Sequence, residues 1–212
     1  MTSADRQADE ICRYGRSMFA RGLTFGSSGN ISVRIPGGWL MTPTGVALDR
    51  LEPQRLSRLD DQGKHVAGDA PTKEAFLHLA MYGEHAKAGA IVHLHSTHSV
   101  AVSCLAEIAP DDVLPPLTAY YVMRVGALPL IPYFPPGDLA LADAVRAKAK
   151  RHSSVLLANH GPVVSGATLE AAVNAIEELE ETARLFLLLR GERTRYLTPE
   201  QVAELRRRFP NG

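Results

Sequence analysis

Ala90-Ile91-Val92-His93-Leu94-His95-Ser96 is a short apolar strand with two imidazoles set into it. Residues two apart on a strand face the same side, so His93 and His95 are neighbours and Val92 and Leu94 turn to the opposite, apolar face. Two imidazoles on one rigid strand can share a divalent cation. Zinc in a catalytic site takes three protein ligands and keeps a position open. His160, in Ala158-Asn159-His160-Gly161-Pro162, is the best candidate for the third, because it lies just past a second buried strand where Gly161 lets the backbone bend. The bland alternative is a pair of edge histidines bonded locally.

Working outward from this strand, helical spacing covers residues 2–21, with a capping box at Thr2 and Asp5 and a stop at Gly22. Alternating Ile31, Val33 and Ile35 turn at Pro36-Gly37-Gly38 into Trp39-Leu40-Met41, a hairpin. Residues 56–66 read as a second hairpin around Asp60-Asp61-Gln62-Gly63. Thr72 is expected to cap a helix reaching residue 82, and Thr97 to cap the helix after the His93–His95 strand. Residues 110–137 are proline-rich and irregular, apart from an apolar run at 128–133. A helix at 140–151, strands at 155–158 and 162–164, a long helix after Thr168 and a short one opened by Thr198-Pro199 complete the chain. Hairpins interspersed with helices, without regular βαβ alternation, predict an α/β fold: a single domain over residues 1–212 with a mainly antiparallel central sheet covered by helices.

The bulk properties exclude several classes of function. The 23 basic and 23 acidic residues cancel, so no global field favours nucleic acid or an anionic membrane. No apolar run approaches the roughly 20 residues that span a bilayer. The N-terminal residues mix charges without an apolar core, unlike a signal peptide. Cys12 and Cys104 form neither a disulfide framework nor a CxxC site. A cytoplasmic protein is expected.

Three further clusters carry chemistry. In Pro71-Thr72-Lys73-Glu74, a cap at Thr72 would put Lys73 and Glu74 in the first helical turn, where free N–H groups favour an anion. Glutamate is ordinary there; lysine opposes the dipole unless an anionic ligand compensates. Gly26-Ser27-Ser28-Gly29-Asn30 and Thr42-Pro43-Thr44-Gly45 offer small polar residues and free backbone N–H groups of the kind that cradle phosphate. Neither matches a P-loop. The remaining histidines, His65, His78, His85, His98 and His152, read as structural, although His78 and His98 lie close enough in sequence to support the ligands.

Taken in order, Ser28-Gly29-Asn30, Thr42-Pro43-Thr44-Gly45, Pro71-Thr72-Lys73-Glu74, His93-Leu94-His95-Ser96 and Asn159-His160-Gly161 resemble the class II aldolase/adducin family over nearly the whole chain. The resemblance implies one Zn2+ per subunit, held by His93, His95 and His160, with Glu74 as acid/base and as a ligand before substrate arrives. It implies that Ser28, Gly29, Asn30, Thr44, Gly45, Thr72 and Lys73 bind phosphate or substrate. Lys73 departs from the pattern, since it and Thr72 stand where fuculose-phosphate aldolases carry two serines. The family's active site lies between subunits of a homotetramer and is completed by a tyrosine, for which Tyr120 or Tyr121 is expected and Tyr196 is a further possibility.

Within the family, Gly68 to Glu74, Leu94 to Ser99, Pro115 to Tyr121 and Ser153 to Pro162 are most similar to the 3-oxo-tetronate 4-phosphate decarboxylase branch. The implied reaction is zinc-dependent decarboxylation of a small phosphorylated keto-sugar acid to dihydroxyacetone phosphate and CO2 through a metal-stabilised enediolate. Glu74 would then need a raised pKa to act as acid. A sugar-phosphate aldolase acting on a keto-sugar is the alternative. A non-catalytic adducin-like binding module fits less well, because such heads lack the metal histidines.

Overall fold

A computed structural model describes residues 2–135 and 137–209. Its centre is an eight-stranded sheet formed by β1 (Asn30–Ile35), β2 (Gly38–Met41), β3 (Ser57–Asp60), β4 (His65–Ala67), β5 (Ala90–His93), β6 (Leu130–Ile131), β7 (Ser154–Leu157) and β8 (Gly161–Gly166). The strand order is β4-β3-β2-β1-β5-β8-β7-β6. Among the described residues every ladder is antiparallel except β6 on β7, so the sheet is mixed rather than purely antiparallel.

Both faces are covered. On one side lie α1 (Ser3–Ala20) and α6 (Leu169–Leu188), joined by α3 (Thr97–Ser103), α4 (Ala119–Arg124) and α7 (Pro199–Arg208). The other side carries α2 (Ala75–Glu84) and α5 (Ala140–Ala149). Strand parity sorts the core into two layers: Ile31, Val33, Val92, Leu94 and Val164 pack toward α1 and α6, while Met41, Ile91, Val155 and Val163 pack toward α2 and α5.

Local signals explain most element ends. The Thr2–Asp5 capping box opens α1, and Thr198 forms a second with Gln201 at α7. Thr168 accepts from the Ala171 N–H at the start of α6.

Four expectations are corrected. The first helix after the hairpins begins at Ala75, with Glu74 rather than Thr72 at the N-cap, and the Thr72 hydroxyl instead accepts from the Glu74 N–H. Thr72 is held back because its own N–H bonds the Thr42 carbonyl, tying this segment to the end of β2. Lys73 and Glu74 therefore precede the first turn. Second, β5 ends at His93, so His95 lies in the loop beyond it. Third, Thr97 is the first residue of α3, not its cap. Fourth, the proline-rich stretch contains α4, capped by the Thr118 hydroxyl accepting from the Tyr121 N–H.

Candidate metal centre and cleft

The functional side chains converge on one end of the sheet. Asn30 opens β1 and pairs directly with His93, the last residue of β5. The turn from β7 to β8 carries Asn159 and His160 and returns beside them at Gly161. Asn159 takes the left-handed conformation (φ 56°), which asparagine tolerates better than most residues. Gly161 has φ 153°, and a Cβ there would lie 2.3 Å from the Leu94 carbonyl oxygen. This glycine lets the turn press against the His93–His95 segment. On the other flank Thr44 N–H bonds the Ala70 carbonyl, bringing the 70–74 segment against the end of β2.

This arrangement gathers Glu74, His93, His95 and His160, whose candidate donor atoms all lie within 4.8 Å of one another. His95 Nε2 is 3.0 Å from His93 Nε2 and 3.1 Å from His160 Nε2. The Glu74 carboxylate approaches His160 Nε2 at 3.0 Å and His93 Nε2 at 3.5 Å. His93 Nδ1 lies 2.8 Å from the Pro162 carbonyl, so Nδ1 carries the proton and donates, and the Nε2 lone pair faces the cluster. Tetrahedral zinc with nitrogen bonds of roughly 2.0–2.1 Å would space its donors by about 3.3 Å. Three imidazoles and a carboxylate at such separations fit a divalent metal.

The electrostatics favour the ligand forms. Burial, with the charges of His93 and His160, pulls the His95 pKa down to about 4. Burial also lowers that of His93. For Glu74 burial pushes upward, but the His93 charge and hydrogen bonds from His160 and Asn30 outweigh it and hold the carboxyl well below the usual range. Glu74 is therefore a carboxylate in this arrangement.

Above the cluster opens a cleft of about 960 Å³. Ser28, Gly29, Asn30, Thr44, Gly45, Thr72 and Lys73 all line it, together with Glu74, His95 and His160. His93 is fully buried beneath. The Asn30 amide donates to Glu74 Oε2 at 2.7 Å and its Oδ1 meets His78 Nε2 at 2.5 Å, so the side chain faces Glu74. Tyr121 is also corrected. It is 1% exposed within the core, so it has no reach toward another subunit, whereas Tyr120 is 58% exposed. Tyr133 and Phe134 line the cleft mouth and were not singled out from sequence. The available signal was an aromatic pair between Pro132 and Pro135.

Comparison with known proteins agrees with this geometry. Residues 9–187 match the Class II Aldolase and Adducin N-terminal domain. The chain is 47% identical over 199 residues to a 3-oxo-tetronate 4-phosphate decarboxylase of Escherichia coli K12, covering 93% of this chain and 94% of that one. A protein of the same description from Haemophilus influenzae is 47% identical over 203 residues, covering 95% and 97%. The crystal structure of YgbL from Escherichia coli superposes with a TM-score of 0.95 at 45% identity, over 97% of this chain and all of that one. The ordered motifs, the Glu-and-three-His cluster and these full-length likenesses lead to one assignment: the chain belongs to the class II aldolase and adducin family.

Proposed function

We propose that this carbon–carbon lyase is a zinc-dependent decarboxylase that converts 3-oxo-tetronate 4-phosphate into dihydroxyacetone phosphate and CO2. The full-length likeness to the Escherichia coli decarboxylase supports the choice of reaction. The site chemistry is compatible with it. His93, His95 and His160, with Glu74 before substrate enters, would hold the zinc ion, which would supply Lewis acidity toward oxygens beside the reacting carbon.

The protein's own groups do the rest. Ser28, Gly29, Thr44, Gly45, Thr72 and Lys73 surround the cleft with small polar groups and one cation, suited to a phosphate. The C1–C2 bond breaks, CO2 leaves, and its electron pair stays on C2 in conjugation with the C3 carbonyl. Glu74 delivers one proton to C2, which completes the product. Substrate that displaces Glu74 from His93 and His160 removes the contacts that hold it ionised. Burial is then opposed by the Asn30 hydrogen bond alone, so the affinity of Glu74 for a proton rises. The enzyme works as a homotetramer with sites between subunits, and the exposure of Tyr120 supports it as the residue that crosses; light scattering that gave a monomer mass would refute this part.

The deciding experiment follows CO2 and dihydroxyacetone phosphate released from 3-oxo-tetronate 4-phosphate, with and without a chelator. Both products should appear together and vanish on chelation. Glu74→Gln should lose turnover by about 10²–10⁴-fold, the usual contribution of a general acid. An aldehyde product, or no CO2 from the zinc-loaded protein, would replace the decarboxylase with a sugar-phosphate aldolase.

A further inference from the structure

Behind Glu74 a line of polar side chains runs through an otherwise apolar layer. On α2, His78 and Tyr82 are four residues apart and share the face turned to the sheet; Glu74 sits one turn earlier at the N-cap. On β1, Asn30 and Ser32 are two apart and share the face turned to α2. The two stripes interlock. Tyr82 Oη lies 3.0 Å from Ser32 Oγ, Ser32 Oγ 2.7 Å from His78 Nδ1, His78 Nε2 2.5 Å from Asn30 Oδ1, and Asn30 Nδ2 2.7 Å from Glu74 Oε2. Leu77, Met81, Met41 and Ile91 fill the same layer. His78 has no exposed surface at all.

The proton positions follow link by link. An ionised carboxylate only accepts, so Asn30 turns its NH2 to Glu74 and its Oδ1 to His78. His78 must then donate from Nε2, which leaves Nδ1 as an acceptor for the Ser32 hydroxyl. Ser32 Oγ in turn accepts from the Tyr82 hydroxyl. Every donor points toward Glu74, and such a chain polarises cumulatively. A polar line of this kind costs free energy to bury unless each member is paired, so apolar residues would fill the layer more simply. Its one outlet is the Glu74 carboxylate.

We propose that His78 is a positioning residue for the reaction: as the neutral Nε2–H tautomer fixed by Ser32, it orients Asn30, which in turn fixes the Glu74 carboxylate. Among the described residues His78 hydrogen-bonds to Ser32 and Asn30 and to none of the candidate metal ligands. Without its N–H, Asn30 Oδ1 loses its one side-chain donor among the described residues, and the amide is free to turn oxygen toward the carboxylate, which repels it.

The inference rests on Glu74 as the proton donor, and the test separates the two. His78→Leu and His78→Gln are compared with the parent and with Glu74→Gln for kcat, KM, zinc affinity by chelator competition and thermal midpoint. His78→Leu fills the space but donates nothing; it should lose about 10–100-fold in kcat and weaken zinc by a similar factor, the usual range for groups behind metal ligands, with KM within a few-fold. His78→Gln sets an amide N–H where Nε2 was and should restore most of both. A purely structural role would lower the thermal midpoint without this split or rescue.

Parent kcat and zinc affinity in His78→Leu, or a Gln variant no better than Leu, overturns the proposal. Should His78→Leu not fold, Ser32→Ala removes the hydroxyl that fixes the tautomer; a several-fold drop in kcat supports the chain, and parent kcat refutes it. If Glu74→Gln turns over like the parent, the proton-donor reading fails and the relay with it. An inactive Glu74→Gln beside an unimpaired His78→Leu sinks the relay alone.

Discussion

Lys73 is the residue at which the cleft departs from the paired serines that the resemblance led one to expect. It is exposed, lines the cleft and sits in the turn just before α2 rather than inside its first turn. The helix dipole therefore opposes it less than the sequence suggested, and its charge is free to meet a substrate anion. A charged hydrogen bond of this kind contributes about 1.5–3 kcal/mol. Lys73→Met should accordingly raise KM for the phosphorylated substrate roughly 10–100-fold and leave kcat within a few-fold; inhibition by inorganic phosphate should weaken in step. A fall in kcat at unchanged KM would instead put Lys73 beside the departing carboxylate. At this scale the gathering of Glu74, His93, His95 and His160 was legible from the His-x-His spacing and the motif order, although His95 lies in the loop beyond β5 rather than on the strand. The partners of Asn30 and the burial of Tyr121 were not, because both depend on packing between elements distant in sequence.

Among the elements, hairpins and capped helices were legible because their signals are local: Pro36-Gly37-Gly38 sets β1 against β2, and Thr168 starts α6. The start of α3 was not, because the carboxylate that accepts its first N–H groups lies 81 and 82 residues away, on α6. Glu180, buried on α6, accepts from the backbone N–H groups of His98 and Ser99, from the Ser99 hydroxyl and from His98 Nδ1. Burial pushes its carboxyl up, but these bonds outweigh burial and leave the pKa lowered. Its stabilisation is thus full above the unfolded carboxylate value and is lost as pH falls through the lower folded value. Glu180→Gln keeps the shape, loses the charge and leaves one acceptor position as a donor. It should cost about 1–3 kcal/mol in urea unfolding at neutral pH, with the gap to the parent narrowing in acid. A gap that stays constant with pH would mean that Glu180 acts by packing alone. Because α3 begins two residues after His95, the same variant should also hold zinc less tightly.

For the molecule as a whole, the order β4-β3-β2-β1-β5-β8-β7-β6 depends on two pairings between strands far apart in sequence, β1 with β5 and β5 with β8. No turn signal announces such ladders, so the sequence indicated strands and an α/β class without their order. Those two ladders bring His93, His95 and His160 together, and the bonds of Thr44 and Thr72 beside the end of β2 add Glu74. A cation bound there ties the α2 entry, the end of β5, its following loop and the β7–β8 turn at a single point. The unfolded chain has no such convergence, so binding free energy becomes folding free energy. At free zinc one hundred times its dissociation constant the gain is about 2.7 kcal/mol. For a chain of this length that corresponds to a rise of roughly 5–10 °C in the thermal midpoint over the metal-stripped protein. His95→Ala should abolish most of that rise, since it removes the nitrogen that lies between the other two imidazoles. Calorimetry of stripped and zinc-loaded protein tests this directly. Coincident melting of the two parent forms, or a full zinc-dependent rise in His95→Ala, would show that the cation is held by a different set of residues.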